Sequence, residues 1–166
     1  MPSSFYHPKN ASLLLALAAI AILASVFVMQ YGFGLAPCRM CIWQRWPFAA
    51  LAAIGLIGAF VWPRVMLSIA VAVLLVSIGL GGYHVGVEQG LIPLPAGCST
   101  VGEAGSVEEL KAMLKAAPPS CDQVTANFFG LSLAGWNMVA SAILAIFTLI
   151  ILTTSRRQAS TLAHQT

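Results

Sequence analysis

VMLSIAVAVLLVSIGLGGYHVGV, residues 65–87, carries no charged side chain over a length that fits the roughly 20 apolar residues a membrane-crossing helix needs. Three further stretches read alike: Asn10 to Cys38, Trp46 to Pro63 and Gln123 to Ser155 are free of charge. With 59% hydrophobic and 8% charged residues, the composition lies far outside that of soluble domains. The chain therefore reads as an all-α membrane protein, a bundle of four transmembrane helices forming one membrane domain over 1–166. The spans are expected at about 12–30, 43–62, 65–84 and 132–153. The first segment is read as a span rather than a cleaved signal, because its apolar run is too long and no cleavage motif follows.

The charges divide between the two faces of this bundle. Lys9, Arg64, Arg156 and Arg157 fall on one face with no acid among them, whereas Glu88, Glu103, Glu108, Glu109 and Asp122 all fall between spans three and four. The positive-inside rule puts both termini in the cytoplasm and the acid-bearing loop outside. The net charge of +3 follows from this topology and gives no reason to expect a nucleic-acid partner.

The external loop, about 85–131, is long enough to carry function. Ser106-Val107-Glu108-Glu109 has the pattern of a capping box. Val107, Leu110 and Leu114 follow at helical spacing until Pro118-Pro119. A short amphipathic helix over 106–117 is expected, lying on the bilayer or on its own loop. The tail after Ser155 reads as a disordered end.

All four cysteines, Cys38, Cys41, Cys98 and Cys121, fall on or just beyond the external face. That distribution suits a compartment where disulfides persist. A four-thiolate zinc site would need two short-spaced pairs, and Cys98 and Cys121 do not form one, so no metal is expected. Structural disulfides are a second reading. A bridge across the roughly 24-residue loop from Cys98 to Cys121 would be worth roughly 3 kcal/mol in the chain-entropy model. A bridge from Cys38 to Cys41 would close only about four residues, for about 2 kcal/mol at best, where insertion already fixes the chain. The third reading is redox chemistry, for which Cys-X-X-Cys is the spacing of an easily reduced, easily re-formed bond.

Placement favours the redox reading. With span two starting near Cys41 to Trp43, the Cys41 sulfur is expected at a helix N-terminus, where free N–H groups favour a thiolate. Arg45, one turn on, returns to the same helix face, able to stabilise that thiolate or to donate to an acceptor's carbonyl. Pro47 fits the first turn of a helix that has just begun. His84, an ionisable group near the external end of span three, is a further candidate for an acceptor pocket, with Glu88 and Gln89 weaker ones at its rim. Asn137 reads as glue between helices. Trp43, Trp46, Trp62 and Trp136 read first as interfacial belts.

Together, PCRMCIWQR (37–45) opening the second of four spans and a later external pair, Cys98 and Cys121, resemble the disulfide bond formation protein B (DsbB) family over essentially the whole chain. The family pattern Cys-X-X-Cys-X-X-(Gln/Glu)-Arg is met by Cys38, Cys41, Gln44 and Arg45. FFGLSLAGWN (128–137) is similar to the family's entry into its last helix, with Ala134 where family members often carry proline.

The resemblance implies a thiol:quinone oxidoreductase of the bacterial inner membrane, using ubiquinone or menaquinone. Its partner would be a periplasmic DsbA-type thioredoxin-fold oxidase, which it reoxidises to support disulfide formation in exported proteins. It implies two redox-active pairs, Cys38–Cys41 and Cys98–Cys121. The partner attacks the loop pair, and electrons pass to Cys38–Cys41. Cys41, Arg45 and His84 then lie on the quinone side. Two alternatives remain. One is an oxidoreductase like the vitamin K epoxide reductases, in which the short motif usually follows the loop pair. The other is a non-enzymatic tetraspan protein stapled by disulfides.

Overall fold

The computed structural model describes residues 7–98, 106–108, 111, 118–124 and 126–163, the last eight by backbone only. Helix α1 (Pro8–Phe27) runs into a π-helical turn (Val28–Gly32). Helices α2 (Arg39–Trp43) and α3 (Arg45–Phe60) follow, then α4 (Pro63–Glu88), a hairpin of β1 (Asn127–Phe128) and β2 (Leu131–Ser132), and α5 (Leu133–Ala163). Four helical segments are long and apolar enough to cross a membrane: Pro8–Gly32, Arg39–Phe60, Pro63–Glu88 and Leu133–Ser155.

The bundle packs α1 on α3, α3 on α4 and α4 on α5. Lipid tails are as apolar as leucine, so hydrophobicity gives these helices little reason to meet; close backbone approach and hydrogen bonds do. Gly55 illustrates the first, since a Cβ there would stand 2.7 Å from the Ser12 carbonyl oxygen and 2.8 Å from the Ala16 nitrogen. The second appears between α4 and α5, where the Ser77 and Ser141 hydroxyls are 2.9 Å apart and fully buried. Leu15, Leu51, Leu67 and Leu74 fill the core, while Leu17, Phe60, Leu75, Ile143 and Ile146 project outward, the placement a lipid solvent requires.

Span two begins earlier than expected and in two pieces. The first residue of α2 is Arg39 and its N-cap is Cys38, so Cys41 is not the terminal residue of the helix. Pro47 explains the division: it has no N–H for the Trp43 carbonyl one turn back, and its ring crowds that carbonyl. The chain breaks at Gln44, and Pro47 sits in the first turn of α3.

Spans one and three also exceed their expected ends; α4 reaches Glu88 and thereby takes His84 into the bundle, where it is 2% exposed. Helix α5 does not stop at Ser155 but continues to Ala163. No proline or glycine interrupts residues 156–163. Ser132 caps the start of α5, its hydroxyl accepting from the Gly135 N–H at 3.1 Å, so this entry dispenses with proline at 134. The hairpin before it was not expected; Gly130, at φ +82°, makes its turn, and the Trp136 indole donates to the Phe128 carbonyl at 2.9 Å. Most of the helix expected over 106–117 lies outside the described residues; Val107, Glu108 and Lys111 are described, helical and exposed.

Candidate functional site

Cys38 has extended backbone (φ −70°, ψ 170°), as an N-cap should, and its sulfur accepts the Cys41 N–H at 3.1 Å. Cys41 is the third residue of α2, so this is the bond a serine or aspartate side chain makes at a helix start. Sulfur replaces oxygen here, and the helix end's free N–H groups stabilise Cys38 rather than Cys41. The two sulfurs are 2.6 Å apart, close enough that a disulfide, at about 2.05 Å, closes with a small movement. In the dithiol form the Cys38 thiol is held well below the usual thiol range. The Cys41 thiol donating to it is the largest cause; burial opposes, and His84 and the Cys41 N–H add to the lowering.

The second pair lies directly on the first. Cys98 and Cys121 are joined by a disulfide with Cα atoms 5.3 Å apart. Cys38, Met40, Val87, Cys98 and Cys121 form one buried cluster, with Cys41 and Ile92 packed against it. The loop is pinned by the Cys121 N–H and the Ser120 hydroxyl, which both donate to the Cys98 carbonyl. Gly97, at φ +83°, lets the Arg39 side chain pass, since a Cβ there would be 2.9 Å from Nη1. All four cysteines thus meet in one cluster, three of them buried and Cys41 half-buried.

His84 was expected at an acceptor pocket; it packs against Cys38 instead. Its Nε2 is 3.6 Å from the Cys38 sulfur and 3.8 Å from a Glu88 carboxylate oxygen, and its Nδ1 is 2.8 Å from the Gln44 amide nitrogen.

Behind Cys41 opens a cavity of about 260 Å³, walled by α1, α3 and α5. Its polar lining is Ser25, Cys41, Gln44, Arg45 and Asn137; Phe48 and Trp136 contribute aromatic surface. His84 does not line it, nor does the buried Cys38. Arg45 shares the cavity with Cys41, and its side chain reaches toward α1. Its Nη1 donates to Gln30 Oε1 at 2.8 Å, and its guanidinium carbon stands 5.2 Å from the Phe27 ring centroid. The Asn137 Nδ2 is buried at the contact of α4 and α5, where a Cβ on Gly81 would stand 3.3 Å from it, and it has no hydrogen-bond partner among the described residues. Reading the sequence missed Gln30 and Phe27; Asn137, expected between helices, does lie against Gly81 of α4. Gln30 carried a signal, being a lone amide near the end of an otherwise apolar run.

The family model described as "Disulfide bond formation protein DsbB" matches residues 8–151. Disulfide bond formation protein B of Herminiimonas arsenicoxydans is 31% identical over 143 residues, covering 81% of this chain and 88% of the relative. The protein of the same name from Pasteurella multocida is 33% identical over 151 residues, covering 86% of this chain and 83% of the relative. That from Polaromonas is 29% identical over 160 residues, covering 91% and 94%.

Proposed function

Since the chain belongs to the disulfide bond formation protein B family of multi-pass membrane disulfide oxidoreductases, we propose that it reoxidises a DsbA-type thioredoxin-fold dithiol and passes the electrons to a membrane quinone. The setting is the bacterial inner membrane, with both termini cytoplasmic. The basic Lys9 and Arg64 at the other end of the bundle support that orientation.

One observation carries the reading: Cys41 belongs to the sulfur cluster and also lines the cavity that holds Arg45. The partner's thiolate attacks the Cys98–Cys121 bond at Cys98, forming a mixed disulfide and releasing Cys121 as a thiolate. The partner's second thiol resolves it, so the partner leaves oxidised and the loop pair has gained two electrons. The Cys121 thiolate then attacks Cys38, breaking the Cys38–Cys41 bond and freeing the Cys41 sulfur on the cavity side. Cys98 displaces Cys38 from Cys121, restoring the loop disulfide and leaving the electron pair on Cys38 and Cys41.

The cavity suits the ring head of a membrane quinone. Its walls are mostly apolar, and the Arg45 guanidinium among them supports the reading as a donor to a carbonyl oxygen. A bound quinone supplies an acceptor for two electrons and two protons. A strong terminal acceptor is required, because a partner poised near about −120 mV is not reoxidised by a glutathione-like pool. Arg45, always charged, favours negative charge developing beside Cys41.

Anaerobic mixing of the purified protein with ubiquinone-1 and the reduced partner tests this. Quinone absorbance should fall stoichiometrically with partner oxidation. Cys41→Ser should abolish quinone reduction while still trapping a mixed disulfide at Cys98. Quinone that stays oxidised with all four cysteines intact would refute the assignment.

A further inference from the structure

Electron relay needs the two sulfurs of Cys38 and Cys41 but not the nitrogen beside them. The donor atoms of Cys38, Cys41 and His84 all lie within 4.8 Å of one another. Around a tetrahedral zinc, with Zn–S near 2.3 Å and Zn–N near 2.0–2.1 Å, a sulfur and a nitrogen stand about 3.6 Å apart and two sulfurs about 3.8 Å apart. Cys38 and His84 Nε2 already have the first separation, at 3.6 Å. The two sulfurs, at 2.6 Å, do not have the second. They reach it only when no bond joins them.

We propose that Cys38, Cys41 and His84 form a binding site for a thiophilic divalent cation, Zn²⁺ in particular, that exists only in the reduced dithiol state. Glu88 stands outside this group of three, its carboxylate 3.8 Å from the same His84 nitrogen, so the fourth position falls to water or to a Glu88 that moves in. The inference rests on the reading above in one respect: turnover passes through the Cys38–Cys41 dithiol. Two electrons and two protons open the disulfide; the cation then displaces the two thiol protons, with no further redox change. While the cation is held, both sulfurs are occupied, and neither reduces an acceptor nor receives electrons from the loop pair. A cation reaching the external face therefore stops the enzyme in its reduced form.

Gln44 adds a second partner. Its amide nitrogen donates to His84 Nδ1 at 2.8 Å, which leaves the imidazole proton on Nε2, facing Cys38 and Glu88. Ligation needs the Nε2 lone pair. A half-turn of the Gln44 amide puts its oxygen against Nδ1–H and frees that lone pair, the arrangement in which ligating histidines are usually held. A glutamate at 44 accepts only, and so presets the ligating tautomer.

The test uses Co²⁺ as a spectroscopic probe on the full chain in detergent, carrying Cys98→Ala and Cys121→Ala so that one dithiol remains. Reduced protein should take up one Co²⁺ per chain, with thiolate-to-cobalt charge-transfer and tetrahedral d–d bands that Zn²⁺ displaces. After oxidation of the pair there should be none. His84→Ala should weaken binding at least tenfold, Gln44→Leu by roughly 10- to 100-fold, and Gln44→Glu should tighten it. Absence of Co²⁺ uptake by the reduced protein overturns the proposal. So does uptake indifferent to both His84→Ala and Gln44→Leu, which would mark a bare dithiol chelate. Should His84→Ala not fold, Gln44→Glu decides, and binding unchanged or weaker overturns the proposal. Neither quinone nor protein partner enters this measurement, so its failure and the failure of the proposed turnover are separate results.

Discussion

Removing the Gln30 amide with Gln30→Leu should raise the KM for quinone and leave exchange with the thiol partner unchanged. Gln30 does not line the cavity; it holds Arg45, accepting from Nη1 at 2.8 Å on one side while Phe27 lies under the guanidinium on the other. An arginine released from one of these contacts must be ordered again each time a ligand binds. Immobilising such a side chain costs about 0.5–1.5 kcal/mol, which converts to roughly a two- to twelvefold weaker quinone. The cation–π contact, worth about 0.5–2 kcal/mol, still restrains the side chain. A rise of about threefold to tenfold is therefore expected. Arg45→Met removes the donor itself, a hydrogen bond from a charged group worth about 1.5–3 kcal/mol, so its penalty should be larger, roughly 10- to 150-fold. Steady-state quinone reduction against varied ubiquinone-1 at saturating partner measures both, with rapid-quench trapping of the Cys98 mixed disulfide as the control. A Gln30→Leu enzyme with wild-type KM beside an impaired Arg45→Met would refute the claim that Gln30 positions the guanidinium. Equal loss of mixed-disulfide formation would show that the bundle, not the cavity, had been damaged.

Three further outcomes follow from the geometry. Gly55→Val should destabilise the bundle by about 1–3 kcal/mol, because a Cβ meets α1 backbone at 2.7 Å and cannot be relieved by a rotamer change; the midpoint of unfolding in SDS reads it. A double-mutant cycle on Ser77→Ala and Ser141→Ala should give a coupling of about 0.6 kcal/mol, with about 1.7 kcal/mol as its ceiling, and a value near zero would remove the hydroxyl pair from the forces joining α4 to α5. In the reduced protein Cys38 should remain alkylatable by iodoacetamide well below the usual thiol range. Because its pKa is lowered by folding, its contribution to stability is full above the unfolded thiol value and is lost as pH falls through the folded one. Cys41→Ala removes the largest cause of that lowering and should move the alkylation profile to higher pH, whereas His84→Ala should move it less.

The four spans were legible because an apolar helix in lipid must exclude charge along its whole length, and charge-free runs can be read without knowing any contact. The grouping of the cysteines was legible for a similar reason: the short spacing of Cys38 and Cys41 and the place of Cys98 and Cys121 in one long loop are one-dimensional facts. The position of Cys38 was not. A helix start is normally announced by serine, threonine, aspartate or asparagine, and none precedes Arg39. Pro47 was a true mark of a first turn, but of α3, and reading it as the start of the whole span placed Cys41 at a helix end that belongs to Cys38. His84 was legible as unusual but not as a neighbour of Cys38, because the two meet only through the crossing of α2 and α4, 46 residues apart in the chain.

One short helix carries both sulfurs, yet their surroundings differ. Gln44 keeps right-handed helical backbone (φ −67°, ψ −14°), so Arg45 stays on the cavity side with Cys41; Cys38 packs with the loop disulfide and His84 while Arg45 reaches Gln30. Cys41, at the end of the short piece, is left between the two environments and touches both. Restoring the missing hydrogen bond tests whether this division matters. Pro47→Ala supplies an N–H to the Trp43 carbonyl and favours a continuous helix by up to about 3 kcal/mol. It should draw Arg45 away from Gln30 and slow quinone reduction more than it slows mixed-disulfide formation. Equal slowing of both would mean that the break serves packing alone.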